Sequence, residues 1–217
     1  MTDLRFLRQQ DAVNMNRLSR LKVTLIGAGS VGSVTAFWLL KMGILDISIY
    51  DADIVQDHNW SNQMYRLTDV NRPKVQALSE LTLEFGMNSP QVYAESYINQ
   101  PLTELVISTV DSMTSRKAIW KAVRQQPQVQ LYLDARMGLE TLIVHTVRPT
   151  VRDDRVRYSQ TLHTDADSLQ EPCTARTICY TPLMASAVLC NMVKRFANAE
   201  SIPGQVVVDL MTYSMMV

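Results

Sequence analysis

The sequence has little cysteine, little glycine or proline, no surplus of either charge and no long apolar run, and each shortage removes a class of protein. Three cysteines, Cys173, Cys179 and Cys190, form an odd and sparse set in the last quarter of 217 residues. They do not make the disulfide framework of a small secreted domain, and they suit a reducing compartment. They are too few for a four-cysteine zinc site, and His145 and His163 are not spaced from them as finger ligands are, so no structural metal is expected. Seven glycines and eight prolines exclude collagenous and low-complexity chains. Lysine plus arginine and aspartate plus glutamate each total 21, so the charge balance calls for neither nucleic acid nor a membrane as partner. The first ten residues place charges where a secretory signal needs an apolar stretch, and no apolar run approaches the ~18 residues of a membrane span. A cytoplasmic protein is expected.

What is present is globular: 47% of residues are apolar and 19% charged, at a length that lets one domain bury roughly 70% of its unfolded surface. Residues 1–217 read as one domain, with 1–20 as an N-terminal helical arm in which Leu4, Leu7, Val13 and Leu18 alternate with Arg5, Arg8, Arg17 and Arg20. A β-rich run at 21–26 ends in Gly27-Ala-Gly29-Ser-Val-Gly32, and 33–42 reads as an apolar helix closed by Gly43. Strands are predicted at 45–50, 91–95, 105–109 and 129–133, with helices at 74–85 and 112–124. Such alternation implies an α/β, Rossmann-like, mainly parallel sheet with helices on both faces. Beyond Asp134 the pattern changes to antiparallel strands at 141–147 and 155–162. A polar loop at 163–181, a helix from Pro182 to about 198 capped by Thr181, and a strand at 205–211 follow.

A strand running into Gly-x-Gly-x-x-Gly brings backbone close to a phosphate, because glycine has no side chain to obstruct it and the next helix aims free N–H groups at the anion. Gly27, Gly29 and Gly32 meet that pattern, and Asp51, at the end of the second predicted strand, stands where an acid accepts hydrogen bonds from a ribose. These four residues serve NAD-dependent oxidoreductases and ATP-using enzymes alike. The stretch 52–73 is too long and polar for a plain connection, and loops of that length are usually functional.

That stretch contains Asp51-Ala-Asp53, Asn59, Asn62-Gln63 and Arg66, and Pro73-Lys74-Val75 opens the next helix; Asp111 follows the strand at 105–109, in Asp-Ser-Met-Thr-Ser-Arg116. Together with the glycine turn and an N-terminal Arg5-Phe-Leu-Arg8-Gln9, the series resembles the ThiF/MoeB/HesA family of ubiquitin-activating-type adenylyltransferases. The resemblance implies ATP as cosubstrate, with Lys74 the α-phosphate cation, Asn59 a phosphate donor and Asp111 the ligand of Mg²⁺. It also implies a homodimer in which Arg8 reaches the other subunit's ATP. The partner it implies is a small ubiquitin-like protein or peptide with a free C-terminal carboxylate. Fixed cations suit this chemistry because charge builds on phosphate oxygens when a carboxylate attacks the α-phosphorus.

Taken singly, Lys74 is equally a solvated first-turn lysine, Asp111 a helix N-cap and Asn59 a turn former. The chain departs from the family at Asn62, where an arginine is usual before Gln63, and Arg66 is the nearest replacement charge. The paired zinc-binding cysteines of many members are also missing. Many members pass the acyl group to a loop cysteine. Cys173, with Arg176 three residues on, is the candidate here, whereas Cys179 and Cys190 read as structural. Arg136 either steers the substrate's carboxylate or pairs with Asp134. Two alternatives stand beside adenylylation: a non-catalytic binding or dimerisation module of the same fold, and an NAD-dependent oxidoreductase.

Overall fold

The computed structural model describes residues 4–163 and 178–217. Its centre is one eight-stranded sheet in the order β3-β2-β1-β4-β5-β6-β7-β8. The strands are β1 Lys22–Ile26, β2 Asp46–Tyr50, β3 Gln91–Tyr93, β4 Leu105–Ser108, β5 Leu131–Met137, β6 Thr141–Val147, β7 Gln205–Asp209 and β8 Ser214–Met216. From β3 to β5 the pairing is parallel; from β5 to β8 it is antiparallel. β1 pairs with β2 on one side and β4 on the other, so the order of connection reverses between β1 and β4. In open α/β sheets ligands bind beyond the carboxyl ends of the strands at such a reversal.

The helices are α1 Met15–Leu18, α2 Ser30–Met42, α3 Lys74–Glu84, α4 Met113–Gln125, α5 Arg152–Ser159 and α6 Tyr180–Ala197. Every residue of β4 is buried, as expected where helices cover both faces. Alternate residues feed two cores: Leu105, Ile107, Leu131 and Leu133 join a cluster with Leu39, Leu78 and Leu189. Val106 and Tyr132 point the other way, into a cluster with Ile119, Trp120 and Tyr158. Gly43 ends α2 in the left-handed region at φ 110°, a conformation glycine reaches without strain.

Three local readings need correction. The strand expected at 155–162 is helix α5. Its Arg-Asp-Asp-Arg-Val-Arg-Tyr-Ser carries acids in the first turn and Arg157 in the last, which suits the helix dipole, and it buries Asp154 and Tyr158, four residues apart on one face. The N-terminal arm is a short 3-10 turn, Leu4–Phe6, followed by the four-residue α1, which Asn14 caps and which buries only Leu18. Thr181 lies inside α6, where Pro182 is the third residue, and its hydroxyl donates to Leu139 O at 2.9 Å instead of capping. β8 had no counterpart in the sequence reading. No helix among the described residues is long and apolar enough to cross a membrane.

Candidate functional site

The glycine turn closes the carboxyl end of β1. Gly27 has φ 97°, and its N–H donates to Tyr50 O at 2.9 Å, tying the turn to β2. A Cβ on Gly32 would lie 2.0 Å from Gly27 O, so that position admits only glycine if helix and turn are to touch. Around Gly29 a Cβ would meet nothing within 4 Å, which leaves the backbone open to a ligand. Gly29 is also the N-cap of α2 and offers the first turn no side-chain cap, so its N–H groups are available to an anion. Thr109, which the sequence reading did not single out, locks the turn from β4. Its hydroxyl donates to Gly27 O at 2.9 Å and its N–H to Ile26 O at 2.9 Å.

The long loop folds back over this turn. Asp51 accepts the Ala28 N–H at 2.6 Å with one oxygen and the Asp53 N–H at 2.8 Å with the other. Half the acceptor capacity of a carboxylate is thereby used, and the rest can receive a ribose hydroxyl. Tyr65 is buried and its hydroxyl donates to Ala28 O at 2.6 Å, while Met64 N–H donates to Ser33 Oγ at 3.0 Å. Burial, then the charge of Asp51, holds the Tyr65 phenol well above its usual range, so it stays a donor. These two clasps were also invisible in the sequence, because nothing in a tyrosine's spacing names its acceptor.

Asn59 is buried, and its Oδ1 accepts the Gln56 N–H at 2.9 Å. The turn-forming role is therefore real, and the side-chain amide remains as a donor. Asn62 Oδ1 and Gln63 Oε1 are buried without a hydrogen-bond partner. Lys74 lies in the first turn of α3 with its ammonium 2.8 Å from Asp53 Oδ2; the lysine side chain is 8% exposed and the aspartate 71%. It is not a solvated surface lysine. Arg66 does not replace the arginine missing at 62. It pairs with Asp69 at 2.9 Å and with Glu84 and Glu80, so its charge is turned onto α3.

Asp111 follows β4 with an exposed carboxylate. It is not the helix cap: Ser112 is, accepting the Ser115 N–H at 3.1 Å. Behind it, Arg116 donates to the carbonyls of Val110, Asp111 (3.2 Å) and Ala135 (3.3 Å) and to Asp134 Oδ1 (3.1 Å). Asp134 Oδ2 accepts from Arg136 at 2.8 Å and from the Tyr158 hydroxyl at 3.0 Å. Of the two readings of Arg136, the pair with Asp134 is formed, and the guanidinium also donates to Thr161 O and Oγ1. Beside this cluster His145 is pushed down to about 4, first by burial and then by the charge of Arg136. Among the described residues no three His, Cys, Asp or Glu side chains converge on a metal position. A divalent cation at Asp111 would thus take its other ligands from phosphate and water, which is how Mg²⁺ is usually held.

Arg8 is exposed in the arm. Cys173 and Arg176 lie outside the described residues. Cys190 is buried in the core, where burial raises its thiol to about 12, and Cys179 is exposed just before α6.

Residues 3–129, more than half of the chain, match the ThiF family. The chain belongs to the ThiF family. Among its relatives, the ubiquitin-like modifier-activating enzyme 5 of Arabidopsis thaliana is 29% identical over 138 residues, 53% of this chain and 32% of that protein. The probable adenylyltransferase/sulfurtransferase MoeZ of Mycobacterium tuberculosis is 37% identical over 62 residues, 28% of this chain and 16% of that protein. The chain therefore spans about a third or less of the curated relatives it matches. E. coli MccB, solved with ATP, superposes with a TM-score of 0.77 at 18% identity, covering 99% of this chain and 71% of MccB. That likeness extends the ThiF fold over the antiparallel strands beyond residue 129.

Proposed function

We propose that this ThiF-family protein binds ATP at the carboxyl ends of β1 and β4 and adenylylates the C-terminal carboxylate of a small ubiquitin-like protein or peptide. The observation that carries the reading is the open backbone at Gly29, with Asp51 bonded to the turn, Lys74 paired with Asp53 two residues on, and Asp111 two residues beyond Thr109, which bonds the turn from the other side. A carboxylate oxygen attacks the α-phosphorus, the bond to the bridging oxygen breaks, and pyrophosphate leaves with that electron pair. No general base is needed, since the carboxylate is already ionised. Lys74 exchanges Asp53 for phosphate oxygen, which costs little because the aspartate is largely hydrated. Asn59 offers its amide to phosphate. Asp111 would hold Mg²⁺ together with phosphate oxygens, and the ion would supply charge neutralisation at the leaving group. Arg8 of a second copy completes the phosphate side, and Cys173 is the proposed acceptor in any second transfer.

ATP–pyrophosphate exchange with a panel of carboxyl-terminal peptides tests this. The wild type exchanges with the right acceptor, and Lys74→Ala and Asp111→Ala lose exchange by about a hundredfold or more, the scale of removing one electrostatic stabiliser. Unchanged exchange in both variants overturns the reading. One observation favours the non-catalytic module: position 62 lacks its arginine, Arg66 faces the acids of α3, and the Asn62 and Gln63 oxygens are left without partners. On that reading ATP binds but exchange is absent with every acceptor, and Asn62→Arg raises exchange.

A further inference from the structure

We infer that Arg116 is a positioning residue, which fixes the direction of the Asp111 carboxylate toward a metal-bound nucleotide from a buried ionic frame centred on Asp134. The inference rests on the adenylation reading for its ligand and on geometry for everything else. The carbonyl of Val110 belongs to the peptide plane before Asp111, and the carbonyl of Asp111 to the plane after it. Arg116 Nη2 holds the first and Nη1 the second, at 3.2 Å. Two dihedrals define a residue's backbone, so pinning both flanking planes sets the direction of the Cα–Cβ bond. An exposed side chain on a turn thereby starts from a fixed Cα–Cβ bond, and only its χ1 and χ2 rotamers remain to be chosen.

The clamp is itself buried and bonded on every side the structure describes. Arg116 is 7% exposed on its side chain and Asp134 0%, and Asp134 receives Arg136 and Tyr158 on the oxygen Arg116 does not use. Tyr158 is held in turn by Tyr132, 3.2 Å away, and by the edge of Trp120 at 5.0 Å between centroids. On the other side, Thr109 binds the glycine turn, so only Val110 separates Asp111 from a residue bonded to Gly27. Capping of α4 needs none of this, because Ser112 supplies it. Lysine cannot replace the fork: one ammonium cannot reach four acceptors spread over β5 and the turn between β4 and α4.

The test compares nucleotide with and without metal. Dissociation constants for Mg·ATP and for ATP in EDTA are measured by calorimetry on the wild type, Arg116→Lys and Tyr158→Phe. Arg116→Lys should weaken Mg·ATP by about ten- to a hundredfold, the usual effect of removing a partner that orients a metal ligand, while ATP in EDTA changes by less than about twofold. Tyr158→Phe, which removes the hydroxyl's bonds to Asp134 and Tyr132 and keeps the ring packing, should move Mg·ATP binding a few-fold in the same direction. Equal losses with and without metal make Arg116 a general structural residue and overturn the proposal, as does unaltered Mg·ATP binding. If the wild type binds neither form, it is the adenylation reading that fails. Amide exchange then decides the clamp: Arg116→Lys should speed exchange at Asp111 and Ser112 more than at β4, and no local change overturns it.

Discussion

The Lys74–Asp53 pair and the Asp134 cluster each join cation to carboxylate, at 2.8 Å and at 2.8 to 3.1 Å, yet water reaches one and not the other. Asp53 is 71% exposed, so its attraction for Lys74 is screened and the lysine can change partners at small cost. Asp134 is fully buried between two guanidinium groups, and nothing there can be exchanged. The parallel half of the sheet thus presents a charge that a ligand can recruit, and the antiparallel boundary supplies the rigid frame behind it.

The largest expected effect comes from breaking the frame. Asp134→Ala leaves the buried Arg116 and the partly buried Arg136 without their shared carboxylate, and removing one partner of a buried ion pair costs about 3–5 kcal/mol. Urea denaturation measures it. A loss below about 1 kcal/mol would mean that water already enters the cluster, and the contrast with Asp53 would disappear.

The next effect is reached by pH. His145 carries a folded value of about 4 against an ordinary 6.5. The unfolded chain therefore takes up a proton that the folded chain refuses, and stability is full above about 6.5 and falls as pH drops toward 4. A shift of that size corresponds to at most about 3 kcal/mol. Between pH 6.5 and 5 carboxylates contribute little, so a slope in that window belongs to histidine. His145→Gln should flatten it, and a slope that survives the substitution assigns the acid sensitivity elsewhere.

The glycine turn separates packing from recognition. Gly32→Ala drives a Cβ onto the Gly27 carbonyl and should cost about 1–3 kcal/mol, as overpacking does. Gly29→Ala meets no atom and should leave the melting temperature within about a degree while weakening ATP binding, because the methyl occupies the ligand's space. Equal destabilisation by the two would show that the turn has no open face.

The parallel half was legible because its signals are local. Glycine spacing, short apolar runs and the helix from Lys74 all follow from fewer than fifteen residues each; β1 and α3 fall within a residue of their predicted bounds, and α2 starts three residues before its own. α5 was misread because Val156 and Tyr158 alternate with arginines, which mimics a strand over so short a window. What decides there is a partner six residues away: Asp154 accepts from Arg148 just before the helix, a contact that no period encodes. The site divides in the same way. The proposed ligand-facing residues form a linear series, whereas Thr109, Tyr65 and the Arg116 frame act through hydrogen bonds whose acceptors lie elsewhere in the chain.

The smallest effect on stability, and the sharpest on the comparison, concerns Lys74. The pair it forms with Asp53 is screened on the aspartate side, so Lys74→Ala should cost no more than about 1 kcal/mol in urea, as exposed pairs do. Asp53→Asn keeps an amide oxygen as acceptor for the ammonium and should cost no more, while it removes the competing charge. If Asp53 only holds Lys74 until phosphate arrives, Asp53→Asn tightens ATP by up to about fivefold, since the ligand no longer displaces a competing carboxylate. If the aspartate also holds ligand, ATP weakens in Asp53→Asn as in Lys74→Ala. Calorimetry on the two variants separates these outcomes. The second would place Asp53 beside Asp111 as a further carboxylate near the phosphates, and the exposed pair would then belong to the site itself.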